Sequence, residues 1–130
     1  MGVLRAGASY FAIVFVIAFA LGTVRTLALE PRLGETLAVA CEIPLLVTAM
    51  FFASRWILPR LSAPSTARLL YVGIIGLALQ QIAELALVLA SGETLAEHGA
   101  YLRTPAGMLY LSALAAFVIM PNVVWRTRKR

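Results

Sequence analysis

Residues 69–90 read LLYVGIIGLALQQIAELALVLA, and Glu84 is the only charged side chain among them. At 1.5 Å per residue a helix of this length rises about 33 Å, which matches the roughly 30 Å hydrocarbon core of a bilayer. Such a run reads as a membrane-spanning helix. Working outward in both directions, three further stretches have the same character. The expected spans cover about 10–29, 37–57, 69–90 and 106–124. The fold class expected is all-α, an integral membrane four-helix bundle, with residues 1–130 forming a single transmembrane domain.

Composition agrees. Of the 130 residues 62% are hydrophobic and 13% charged, with a mean hydropathy of +0.91. A soluble domain carries roughly a quarter charged residues. Arg5 followed by an apolar run and Ala18-Phe19-Ala20 is reminiscent of a cleavable signal. The run continues to Leu29, however, so a retained first span is expected.

The net charge of +5 is distributed unevenly. With Met1 on the cytoplasmic side, Arg5, Arg55, Arg60, Arg68, Arg126, Arg128, Lys129 and Arg130 all fall there, whereas Arg32 and Arg103 occupy outer loops. This bias predicts an N-in, C-in arrangement. The acidic residues are all glutamates: Glu30, Glu35, Glu42, Glu84, Glu93 and Glu97 lie in outer loops or the outer parts of spans. Trp125 with the basic tail that follows it suits anionic lipid headgroups. Nucleic acid is not an expected partner, because no basic face or stacking platform accompanies the tail. Tyr10, Phe11, Trp56, Tyr71 and Trp125 are expected to act as interfacial anchors.

Loop chemistry sets the connections. Pro31 is expected to end the first helix and Gly34 to permit a tight reversal, so that spans one and two form a hairpin. Ser65 or Thr66 is the expected N-cap of span three. Residues 92–97 have the makings of a short amphipathic helix at the interface. The pentapeptide GETLA occurs at 34–38 and again at 92–96, a hint of two duplicated hairpins.

Arg25, Glu42 and Glu84 stand out because charge inside a span is costly and faces a bundle interior or a functional cavity. From the helical rise they lie about 6, 7 and 9 Å below the outer ends of their spans, and Tyr110 reaches a similar level in span four. Gln80 lies one turn deeper than Glu84. The faces point inward: Arg25 shares its face with Gly22 and Ala18, Glu42 with Ala38, Ala49 and Ala53, and Glu84 with Gln80, Gly76 and Gly73. Small residues of this kind let membrane helices approach closely. Pro44 frees the Ala40 carbonyl beside Glu42. Arg25 is expected to pair with Glu42 or Glu84. Two carboxylates against one guanidinium leave one negative charge in excess unless a glutamate is protonated. The carboxylate farther from Arg25 is the one placed to carry a proton or meet a cation. Thr48 and Ser112 are expected to bond to their own helices, so one chain offers a pocket open to the outside, not a continuous channel.

Other chemistry is thin. Cys41 has no partner for a disulfide and is expected to pack as a small apolar residue. Glu93, Glu97 and His98 read as a solvated loop face, not a metal site. No cofactor is expected, and no nucleophile–base set marks an enzyme.

The run Leu21-Gly22-Thr23-Val24-Arg25, then Glu30-Pro31-Arg32-Leu33-Gly34-Glu35, then Glu42-Ile43-Pro44 resembles a group of uncharacterised small four-span bacterial inner-membrane proteins. The resemblance covers mainly the first hairpin; it implies a multi-pass protein of the bacterial inner membrane and brings no activity with it. The functional expectation is a non-enzymatic accessory or structural subunit, docked to a transmembrane protein partner or a second copy. The alternative is a small transporter or ligand-binding membrane protein that uses Glu42 and Glu84, with Arg25 as counter-ion. The chain has the size of small multidrug transporters, but their motif around a first-span glutamate is missing.

Overall fold

The computed structural model describes residues 1–129, and among these every regular element is helical. Helix α1 runs Val3–Leu33, α2 Glu35–Ile57, α3 Thr66–Ala90, the short α4 Leu95–Leu102, and α5 Pro105–Lys129. Helices α1, α2, α3 and α5 are long and apolar enough to cross a membrane. Their main contacts place α1 against α2 and α3, and α5 against the same two helices. The four therefore form a square, with α1 opposite α5 and α2 opposite α3. As expected from the short connection, α1 and α2 are neighbours.

The helices outrun the apolar stretches at several ends. Helix α1 begins at Val3, well before residue 10, and Pro31 does not stop it. A wide π-helical turn over Arg25–Leu29 precedes the proline, and the Glu30 N–H reaches back to the Arg25 carbonyl. That turn loosens the helix where the proline ring would otherwise crowd it. The stop comes at Gly34, whose φ of +84° is one that side chains with a Cβ rarely adopt. Gly92 at +87° ends α3 in the same way. The two copies of GETLA thus share a local task, ending one helix and opening the next.

Ser65 caps α3, accepting a hydrogen bond from the Arg68 N–H at 3.2 Å. The short helix begins after its own cap, Thr94, and so covers Leu95–Leu102 instead of 92–97. At the end of the bundle that carries the termini, the Met1 ammonium donates to Ser62 Oγ and Ser62 N–H donates to the Met1 carbonyl. The start of α1 is thereby tied to the loop between α2 and α3. Of the basic tail, Arg126 and Arg128 are exposed on α5; the Lys129 side chain and Arg130 lie outside the described residues.

The core is densest towards that end. Tyr10 is fully buried at the centre, so it is not an interfacial anchor. Its ring stacks on Phe117 with centroids 4.4 Å apart, and its hydroxyl donates to the Phe117 carbonyl at 2.6 Å. Pro121 explains this bond. Four residues beyond Phe117 and without an N–H, it leaves that carbonyl with no partner inside α5, and Tyr10 supplies one from across the bundle. Nearby, α3 and α5 lie so close that a Cβ on Gly73 would run into the Val118 carbonyl, and one on Gly76 into the Phe117 ring. Gly22 differs: a Cβ there meets nothing, so it mediates no close approach. Cys41 is exposed on the outside of α2, not packed within the bundle. Trp56 and Tyr71 are exposed, as interfacial anchors need to be, and Arg60 stacks on the Trp56 ring at 3.9 Å.

Candidate functional site

Towards the end of the bundle away from the termini, packing opens into a cavity of about 190 Å³. All four long helices line it. Helix α2 contributes Glu42, α3 contributes Gln80 and Glu84, and α5 contributes Tyr110. Helix α1 adds Val14, Phe15, Ala18 and Phe19, while Leu46, Met50 and Phe117 help to complete an apolar wall. The inward orientation of these positions follows from helical spacing: Ala38, Glu42, Ala49 and Ala53 fall on one face of α2 and all four are buried. Ala40 and Pro44 fall on the opposite, exposed face. The residue whose carbonyl the proline frees is therefore turned outward, away from the cavity.

Arg25 is not part of the cavity wall. Its Nη1 donates to Glu42 Oε2 at 2.6 Å, and its Nε lies 3.4 Å from Glu30 Oε1. The second carboxylate at the guanidinium is thus Glu30, one helical turn along α1, and not Glu84. Local geometry accounts for the choice, because the wide turn at Arg25–Leu29 lies directly between the two side chains. Glu42 retains 7% side-chain exposure against 26% for Arg25, so the pair joins α1 to α2 at the edge of the core.

Glu84 is left in a different position. Its Oε2 is buried and receives no hydrogen bond. His98 of α4 and Gln80, which shares the Glu84 face of α3, are the polar side chains that bear on the carboxylate. His98 is buried and stacks against Tyr101 with centroids 6.5 Å apart, so it does not belong to a solvated loop. Glu97 is exposed and is bonded to Thr94. Burial pushes the Tyr101 phenol above its ordinary pKa, while Arg25 opposes the shift and Glu35, Glu84 and Glu30 add to it. The short helix α4 therefore lies across the end of the bundle, over the polar groups.

Tyr110 meets Gln81, whose amide reaches its hydroxyl at 3.4 Å; Gln80 faces the cavity instead. Thr48 and Ser112 bond to the Pro44 and Met108 carbonyls of their own helices. Among the lining side chains, Phe19 and Leu87 keep about half their surface, at 57% and 47%. They stand on the neighbouring helices α1 and α3. Exposed lining side chains thus stand on both of the helices that meet at that side of the bundle. Sequence reasoning missed His98 and Glu30. The three-residue step from His98 to Tyr101 on an amphipathic segment was the available signal for the first, and the five-residue spacing from Arg25 was the signal for the second.

The fold and cavity define a class: an all-helical bundle of four membrane-length apolar helices with an ionisable pocket between them. No family model matches the chain, and neither a curated protein nor a solved structure matches it significantly.

Proposed function

We propose that this is a non-enzymatic, multi-pass protein of the bacterial inner membrane, N-in and C-in, that binds a small ligand in its inter-helix cavity and serves as a small transporter or ligand-binding membrane protein. The observation that carries the reading is the Glu84 carboxylate, which lines the cavity with an oxygen that is buried and unpartnered. The carboxylate is in no salt bridge, and a guest that brings a donor to the cavity can answer it. The basic residues gathered at the end with both termini support the orientation by the positive-inside rule, and the same end suits anionic lipid.

The groups of the polar layer divide between two tasks. Glu30, Arg25 and Glu42 form a clamp between α1 and α2 that needs no ligand. Glu84, with Gln80 and Tyr110, is the part free to bind one. The clamp also favours a second reading, that of an accessory subunit of a membrane assembly in which the polar layer only holds the bundle together.

Native mass spectrometry of protein extracted in mild detergent separates the two. The binding reading expects a small molecule on the wild type that is lost in Glu84→Gln while the folded yield holds. A bare chain, or a stable complex with another transmembrane subunit that Glu84→Gln leaves unchanged, sinks it in favour of assembly.

A further inference from the structure

The ligand class follows from the charge and shape of the cavity, and it rests on the binding-site reading above. We infer that the cavity takes a monovalent organic cation, an ammonium carried on an apolar body about the size of one aromatic ring, which enters sideways between α1 and α3.

Sign comes first. The guanidinium of Arg25 is answered at 2.6 Å by Glu42 and faces Glu30 at 3.4 Å. Its positive charge is therefore matched or exceeded before Glu84 is counted, which leaves His98 as the other basic side chain that bears on Glu84. An anion entering beside Glu84 would meet a carboxylate on the cavity wall that no salt bridge neutralises. A cation meets that carboxylate as an acceptor for a charge-assisted hydrogen bond.

Inorganic cations fit the walls poorly. Calcium takes six to eight oxygen ligands and magnesium a near-ideal octahedron. The cavity offers the carboxylate of Glu84, the amide of Gln80 and the hydroxyl of Tyr110, while Glu42 is engaged by Arg25. Among the described residues no three His, Cys, Asp or Glu side chains come together to hold a metal ion. The rest of the wall is hydrocarbon and aromatic ring, Phe15, Phe117 and Tyr110 among them, which rewards burial of apolar surface and suits the apolar body of an organic ammonium.

Size and route agree with this class. A dry apolar cavity of about 150 Å³ accepts a benzene-sized guest. At about 190 Å³ this one has room for such a ring and a one-carbon ammonium arm. A mouth flanked by exposed Phe19 and Leu87, both on membrane-length helices, opens towards the acyl chains. Amphiphilic cations already dissolved in the bilayer reach it without crossing the polar end of the bundle.

The test is saturable binding to the full chain in lipid nanodiscs, with empty nanodiscs subtracted. The probes are benzylammonium, its neutral counterpart benzyl alcohol, and sodium ion. Benzylammonium is expected to occupy one site per chain and to bind about tenfold or more tighter than benzyl alcohol. Glu84→Gln should erase that preference. Ala18→Phe, which fills the cavity from α1 without touching a charge, should weaken both organic probes and serves as the second variant if Glu84→Gln folds poorly. Equal binding of alcohol and ammonium, unaffected by Glu84→Gln, would keep the cavity as a binding site but overturn the cationic class. Displacement of benzylammonium by millimolar sodium would overturn the organic class. Failure of every probe to saturate would remove the binding-site reading itself.

Discussion

The two halves of the bundle differ in how closely the four helices pack. In the half near the termini, the carbonyl that Pro121 strands is met by Tyr10, the rings of Tyr10 and Phe117 stack, and Gly73 lets α3 touch the α5 backbone. In the other half the same four helices spread around a cavity, an ion pair sits at its margin, and a carboxylate oxygen goes unanswered. Both halves keep buried polar atoms without a hydrogen-bond partner, Ser54 Oγ and Asn122 Oδ1 in the first and Glu84 Oε2 in the second. What separates them is packing: the first brings its helices into direct contact, and the second holds them around a cavity with a carboxylate on its wall.

Substitutions that strike each half unequally sharpen the contrast. The largest expected effect is at the ion pair. Arg25→Ala leaves Glu42 buried and unpaired, and equilibrium unfolding in mixed micelles should register a loss of about 3 kcal/mol, the low end for a broken buried pair because Arg25 is partly exposed. Gly73→Ala comes next, at about 1–3 kcal/mol, since α3 must move off the Val118 carbonyl. Gly22→Ala is its control and should be neutral or slightly stabilising. Equal losses at the two glycines would show that close approach does not distinguish the halves.

Tyr10→Phe should cost about 1–2 kcal/mol by stranding the Phe117 carbonyl. A double-mutant cycle makes this sharper. In a Pro121→Ala background α5 regains its own donor, so the Tyr10→Phe penalty should shrink towards zero. An unchanged penalty would mean that the hydroxyl does something other than cap that carbonyl. The smallest effect belongs to Glu84→Gln, within about 0.5 kcal/mol of wild type or mildly stabilising, because it removes a half-buried charge that no salt bridge pairs.

Much of the frame could be read from the chain. Apolar runs of bilayer length define four helices, the small-residue stripe through Gly73 and Gly76 marks a close contact, and Ser65 announces a cap. The shared depth of Glu42, Glu84 and Tyr110 follows from helical rise alone. What could not be read depends on partners distant in sequence or on local departures from ideal helix. Tyr10 lies 107 residues from the carbonyl it caps, and nothing in its own span distinguishes it from an interfacial tyrosine. The wide turn after Val24 brings Arg25 to Glu30 and Glu42, a preference that ideal helical spacing does not encode. His98 is buried only because the short helix folds back over the bundle.

The central claim is that two glutamates at one level of the bundle have different tasks, Glu42 as half of a clamp and Glu84 as a free acceptor. Isosteric neutralisation tests it most directly. In one unfolding experiment, Glu42→Gln should lose about 2 kcal/mol relative to wild type, while Glu84→Gln holds or gains stability. Equal destabilisation by the two would make the whole layer structural and contradict the account.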